Sequence, residues 1–239
     1  MSNPSESLYG LSLCTGYGGL ELGLRLRLGF AYRLVGAFEK KKECRHVLWS
    51  NRDFFGGGFF LGSDFVGHDF REWRGVVDIL SAGYPCQGFS TASRGRPTHP
   101  DMWPEVLSVV ESVEPRFVFL ENVNQAPWSV VRQDLERRGY RVRLGEFCSG
   151  DYGAPHNRKR TFLLADADRN VQPVGSFHAK ASGVPETSIL IPHPDRNTPR
   201  VDDGTTRGVD RRRMLGEGVV PMVASYAFGD LMERLMQDE

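Results

Sequence analysis

The sequence predicts an α/β fold, a sheet with helices on its faces, on three observations. Short apolar runs alternate with amphipathic stretches from residue 8 to about 165. Each run is too short for a helix and rich in Val, Phe, Leu or Ile. Glycines close the first run and open the first amphipathic stretch, the place where such sheets meet ligands.

Taken in order, "YGLSLC" predicts the first strand and "GLELGLRLRLG" the helix after it. "YRLVGAFE" is the second strand, and "KKKECRHVLWSN" a helix. "VVDILSAG" and "RFVFLENV" are further strands, separated by the helical "MWPEVLSVVESV". "WSVVRQDLERRG" predicts a helix that stops at Gly139 after two arginines. "YRVRLGEF" and "RTFLLAD" complete the strands. From about 168 to 213 Pro, Gly, Asp, Thr and Arg dominate, which reads as a loop-rich insertion. "GVVPMVASYAFGDLMERLM" regains helical spacing from Met222 onward and is expected to fold back on the sheet. The expected division is therefore 1–165, 166–213 and 214–239.

The 239 residues are 40% hydrophobic and 25% charged, which fits a globular chain and excludes disordered, collagenous and membrane classes. "MSNPSESLYG" has neither a basic region nor an apolar one, so a cytoplasmic protein is expected. Cys14, Cys44, Cys86 and Cys148 form no CxxC pair, so neither a zinc site nor a disulfide framework is expected. The formal net charge is zero, so any argument for nucleic acid has to rest on local clusters.

Four stretches carry candidate chemistry. In "LCTGYGGLELG", Gly16, Gly18 and Gly19 let backbone N–H groups approach a ligand at a helix N-terminus. Glu39 ends the second strand about 20 residues later, where nucleotide sites place an acid for ribose hydroxyls; it also reads as a solvated acid beside three lysines. Together the two features point to an adenosine-bearing cofactor. In "GYPCQGFS", Pro85 and the flanking glycines give a rigid turn into the loop "GFSTASRGRPTHPD". Cys86 there is either a buried thiol or a nucleophile. Glu121, at the end of "FVFLENV", lies beside Cys86 if the two strands are neighbours. It reads as an acid toward a ring nitrogen or as an ordinary capping or salt-bridged glutamate. In "DYGAPHNRKRTFLLA", strand alternation turns Arg158 and Arg160 to one side and Lys159 to the other. That basic run reads as a solvated face or as phosphate and base contacts.

As an ordered set, "CTGYGG", Glu39, "GYPCQGFS", "FLENV", "GAPHNRKR" and "LGEGVVPMVA" resemble the motifs of the DNA (cytosine-5) methyltransferases, especially the compact bacterial and phage forms. The resemblance covers about residues 8–165 and 214–237. It implies the Rossmann-like fold of S-adenosylmethionine-dependent methyltransferases: a mixed seven-stranded sheet ending in an antiparallel hairpin, with a small loop-rich target-recognition segment inserted late. By the same resemblance S-adenosyl-L-methionine would meet Cys14, Thr15, Gly16, Tyr17, Gly18, Gly19, Leu20, Glu39, Lys40, Asp64, Phe65, Pro85, Glu217 and Val219, leaving as S-adenosyl-L-homocysteine. Cys86 would be the nucleophile, Glu121 would contact N3 and the exocyclic amine, and Arg158 and Arg160 would brace the ring oxygen and the catalytic loop. Double-stranded DNA would touch Gln87, Ser90, Ser93, Arg94, Arg96, Asn122, Val123, Arg207, Arg211, Arg212 and Arg213.

The implied chemistry accounts for these residue types. Cytosine C5 is too weak a nucleophile to take a methyl group directly, so a thiolate adds at C6 and makes C4–C5 an enamine-like donor. Charge then builds at N3, where a protonated Glu121 offsets it. The base has to be flipped out of the stack. Three positions depart from the family pattern: Glu217 replaces the usual asparagine, His156 the usual glutamine, and Cys14 a common aromatic. A monomer without membrane contact is expected, in restriction-modification beside a cognate endonuclease or in phage genome protection. Two other readings of the same motifs are an RNA (tRNA) cytosine-5 methyltransferase and a catalytically impaired DNA-binding or anti-restriction protein.

Overall fold

A computed structural model describes residues 7–85, 101–123, 126–154, 157–167 and 218–237. Cys86, Gln87, Ser90, Ser93, Arg94, Arg96, His156, Arg207, Arg211, Arg212, Arg213 and Glu217 lie outside the described residues, as does nearly all of the 166–213 segment.

Seven strands form one sheet: β1 Leu8–Leu13, β2 Tyr32–Phe38, β3 Phe60–Gly62, β4 Ile79–Ala82, β5 Phe117–Asn122, β6 Arg141–Cys148 and β7 Lys159–Asp166. Their order is β3-β2-β1-β4-β5-β7-β6. The first five pair in parallel, while β7 runs antiparallel between β5 and β6. The sheet is thus mixed, as the family resemblance implied and as strand periodicity alone did not say. β4 and β5 are buried at every position, the burial of central strands covered on both faces. β6, at the sheet edge, keeps half-exposed residues along its length.

Five α-helices cover the sheet: α1 Gly19–Leu28, α2 Lys42–Ser50, α3 Trp103–Val113, α4 Trp128–Glu136 and α5 Pro221–Met236. α3 and α4 pack Val106, Val110, Val131 and Leu135 on Leu80, Val118 and Leu163. On the opposite face α1 and α5 pack Leu24, Leu28, Ala227, Phe228 and Leu231 on Ile79, Phe117, Phe119 and Phe162. Proline near the start of α3 and of α5 suits the first helical turn, whose N–H groups have no intrahelical acceptor. α4 ends at Glu136, three residues short of Gly139. The chain then turns through Gly139, whose φ of 83° favours glycine, into β6.

α1 and α5 cross closely because α1 offers glycines. A Cβ on Gly23 would come within 2.5 Å of the Ala224 Cβ and 2.8 Å of the Pro221 carbonyl oxygen. Gly23→Val is therefore expected to destabilise the fold by about 1–3 kcal/mol through overpacking. Thermal or urea unfolding reads the effect; an unchanged midpoint would mean that the two helices have room to separate.

Candidate functional site

The carboxyl ends of the five parallel strands share one edge of the sheet, and the strand order reverses between β1 and β4. Doubly wound sheets place ligands at such a switch point. On the β1 side, Cys14 has φ 52°, Gly16 φ 57° and Gly18 φ 81°, so the chain turns sharply into α1. Thr15 ties the turn down, its hydroxyl donating to the Ser12 and Phe38 carbonyls. Glu39, at the end of β2, is buried; its Oε2 accepts from Gly16 N at 2.7 Å and its Oε1 from Lys41 N at 2.8 Å. A carboxylate accepts at about four lone-pair positions, so capacity remains for hydroxyls of a ligand.

The three turn glycines do different work. Nothing lies within 4 Å of a Cβ placed on Gly16, so its backbone faces open space. A Cβ on Gly18 would strike the Phe55 ring, and one on Gly19 would sit 2.5 Å from the Val219 carbonyl oxygen. Gly16 is therefore the one of the three that leaves room for a ligand, while Gly18 and Gly19 permit close packing. Lys40 and Asp64 form an exposed ion pair of 3.0 Å across the ends of β2 and β3. Asp64 also accepts from Val66 N, and its carboxyl lies below the usual range; burial opposes this shift, which the Lys40 contact and the Val66 N–H produce. Leu20 and Phe65 are buried in the two main cores, with a Leu20 methyl 3.9 Å from a Cβ placed on Gly83. Tyr17 is half-buried, and its hydroxyl is held neutral by burial and by Cys44.

On the β5 side, Glu121 and Asn122 are both buried at the strand tip. Arg160 of β7 places Nε 3.0 Å from Glu121 Oε1. Burial raises the Glu121 pKa, and Arg160 and Arg158 only partly offset it. Asn122 donates through Nδ2 to the Tyr84 carbonyl at 2.8 Å, and its Oδ1 accepts from Val123 N. That bond clamps β5 to the segment after β4, two residues before Cys86. A Cβ on Gly83 would lie 3.5 Å from Glu121 Oε2, so glycine keeps this side of the carboxyl clear. Pro85 is exposed at the end of the segment.

Strand alternation holds in β7. Arg158 and Arg160 line a hollow with Glu121, Ser149, Phe162, Val219, Val220 and Val223, while Lys159 turns away to Glu146. Arg158 donates to the Gly218 carbonyl, and its backbone pairs with Ser149. It thus braces the turn into α5, whereas Arg160 braces the acid. Ser149 and Val220 were not among the sequence candidates. The amphipathic start of α5 marked Val220 only as a packing residue, and Ser149 follows β6 with no motif of its own. Among the described residues no cluster of His, Cys, Asp and Glu is arranged to hold a metal ion, and no helix is long and apolar enough to cross a membrane.

The residues present fit S-adenosylmethionine. Gly16 is an open cradle, Glu39 presents a buried carboxylate beside it, and Asp64 stands at the rim of the same strand ends. The thiols of Cys14 and Cys44 are unsuited to nucleophilic work. Burial, then Glu39, pushes the Cys14 pKa up to about 12, and burial also raises that of Cys44.

The fold is that of the S-adenosylmethionine-dependent methyltransferases. It superposes on S. pombe Dnmt2 methyltransferase with a TM-score of 0.54 over 70% of this chain and 51% of that one, at 18% identity. A prophage-encoded E. coli protein, solved as a candidate DNA modification methyltransferase, gives a TM-score of 0.53 at 25% identity over 67% of this chain and 47% of that one. Residues 8–207 match the family described as C-5 cytosine-specific DNA methylase, and the chain belongs to that family. It is 30% identical over 218 residues to Type II methyltransferase M.NlaX of Neisseria lactamica, covering 85% of this chain and 66% of that protein. It is 32% identical over 105 residues to Type II methyltransferase M.MspI of Moraxella sp, covering 39% of this chain and 25% of that protein. The chain thus spans two thirds or less of the length of these relatives.

Proposed function

We propose that the protein is a DNA cytosine-5 methyltransferase that takes its methyl group from S-adenosylmethionine and acts on a cytosine flipped out of duplex DNA. The observation that carries this reading is Glu121: a buried carboxyl with a raised pKa, paired to Arg160, at the strand tip clamped to the segment leading to Cys86. A carboxyl kept protonated there donates to cytosine N3 as the Cys86 thiolate adds at C6. Adduct formation moves electron density onto C5, whose attack on an electrophilic methyl group a thiol-free ring could not make. A base or water then takes the C5 proton, the C5–C6 double bond re-forms, the thiolate is expelled, and N3 returns its proton to Glu121.

Bound S-adenosylmethionine supplies that methyl group as a sulfonium. Gly16 and Glu39 would hold its amino-acid and ribose parts, Asp64 its adenine amine, and Val219 would close the turn from the α5 side. Arg160 keeps Glu121 aimed at the hollow, and Arg158 fixes the 218–220 turn that forms its wall. Asn122 and Val123 lie where a flipped base would enter. The similarity to Type II methyltransferases supports a place in restriction-modification; a cognate endonuclease and a cytoplasmic, monomeric working form are part of the same proposal. Duplex contacts would fall to Arg94, Arg96, Arg207 and Arg211 to Arg213.

Label transfer from S-adenosylmethionine tests the reading on duplex DNA and tRNA with the wild type and Cys86→Ser. Transfer to duplex DNA that disappears in the variant is expected, as is a trapped adduct on DNA containing 5-fluorocytosine, where fluorine cannot leave as the proton does. Transfer to tRNA alone, or to neither while DNA still binds, would overturn it.

A further inference from the structure

Glu21 is an acid with no part in the chemistry above, and it is wholly buried. It sits in the first turn of α1, two residues past Gly19, on the stripe with Leu24 and Leu28 that faces the sheet. Ser81 of β4 donates to its Oε1 at 2.7 Å. Ser12 of β1 faces the same carboxyl. β1 continues into the glycine turn, and β4 continues through Gly83 and Tyr84 toward Cys86. One side chain therefore touches the helix that carries the cofactor turn and both strands on which the switch point is built.

We propose that Glu21 is a positioning residue, a hydrogen-bonded clamp that holds the glycine turn at the start of α1 in fixed register with the end of β4. This rests on the function proposed above only for its consequence, that cofactor and nucleophile approach one another in a set geometry.

The surroundings define the form of the clamp. Among the described residues Glu21 has no cation as a partner: the ionisable group facing it from β2 is Tyr32, itself buried and held neutral, and Arg25 of α1 lies beyond, donating to the Tyr32 carbonyl. Glu21 Oε2 and Ser12 Oγ are both buried, and neither makes a hydrogen bond to a partner of good geometry. A proton on Oε2 makes it a donor toward Ser12 Oγ and satisfies both atoms at once, while Oε1 keeps accepting from Ser81. An ionised carboxylate would leave buried charge uncompensated, at a cost of several kcal/mol. Burial raises the pKa in keeping with this, against the smaller lowering effect of the two serines.

The sign of the pH effect follows. The folded state holds this proton more tightly than the unfolded chain does, so the contribution to stability is full below 4.5, the ordinary value, and declines as pH climbs toward the raised folded pKa. Gln cannot ionise, so the stability of Glu21→Gln relative to wild type is expected to rise across that window.

Glu21→Gln and Glu21→Met test the proposal, with hydrogen exchange of the 13–23 segment as the primary measurement. Gln reproduces the neutral acid, one acceptor and one donor, and is expected to leave exchange at the turn at the wild-type rate. Met fills the space without polar atoms and is expected to speed exchange about tenfold, one net hydrogen bond's worth. In wild-type-minus-variant infrared difference spectra a protonated-carboxyl C=O stretch should appear for both variants, the band of Glu121 cancelling. Calorimetry with S-adenosylhomocysteine should then give an affinity about tenfold weaker for Met and near wild type for Gln. Equal exchange in Met and wild type, or Gln as loose as Met, overturns the clamp. A wild type that binds no S-adenosylhomocysteine overturns the proposed function instead, and the exchange data still decide the clamp.

Discussion

Glu121→Gln is expected to lower the rate of methyl transfer to DNA by about 10²- to 10³-fold, within the usual cost of losing a positioned general acid. Cofactor affinity should stay within about twofold, because the group acts only as charge builds. Gln matches the size of Glu, and its carbonyl oxygen can still accept from Arg160 Nε, which sits 3.0 Å from Glu121 Oε1. What Gln lacks is a transferable proton. Glu121 is buried at the tip of β5, and burial raises its pKa against the pull of Arg160 and Arg158. In the proposed chemistry the protonated form is the working one, so the wild-type rate should fall as pH climbs through the raised pKa. Glu121→Gln, with nothing to ionise, should lack this alkaline limb. Single-turnover transfer measured across pH reads both effects. A variant with the wild-type rate and the wild-type pH profile would remove Glu121 from the chemistry.

The strands that sequence marked are those that carry buried, continuous apolar runs. β4 and β5 lie at the centre of the sheet, and nothing but apolar residues and small hydroxyls can fill them until the functional tip of β5. β3 escaped the residue reading because an edge strand of three residues pairs on one side only and needs no long apolar run. The antiparallel direction of β7 was open for a different reason: side chains alternate with the same period in parallel and antiparallel strands. The available cue was the link from Cys148 to Lys159, which is too short and too polar to hold a crossover helix.

The site shows the same division. Glu39 and Glu121 drew notice as acids at the ends of apolar runs, and Arg158 and Arg160 as a basic pair before one, but local sequence left each open between an ordinary and a functional reading. Leu20 and Phe65, candidates through the motifs around them, also pack in the core. Glu21 went unnoticed because an acid in a first helical turn is ordinary. Its signal was the spacing of 21, 24 and 28, which places it on the buried stripe of α1. Gly19 carries a second constraint beside its place in the glycine turn: the Val219 carbonyl, from a segment 200 residues away that no local pattern links to it.

Glu39 makes the last and most discriminating case, because its two oxygens have different neighbours and both neighbours are donors. Oε2 accepts from Gly16 N and Oε1 from Lys41 N, which pins the glycine turn to the end of β2. Glu39→Ala loosens that anchor and also removes the hydrogen bonds proposed to the two ribose hydroxyls; at about 1.5–3 kcal/mol for each bond to a charged group, S-adenosylhomocysteine binding is expected to weaken at least a hundredfold. Glu39→Gln should be nearly as damaging despite its shape. An amide has one acceptor oxygen, so its NH₂ group must face one of the two backbone N–H groups, donor against donor. Asp64→Asn supplies the contrast: its amide oxygen can still accept from the adenine amine, and the ion pair it gives up with exposed Lys40 contributes about 1 kcal/mol or less. Calorimetry on the three variants should therefore rank Ala and Gln at position 39 together, far below Asn at 64. If Glu39→Gln binds as wild type does, the carboxylate is not what holds the turn, and the cofactor site has to be rebuilt around Gly16 alone.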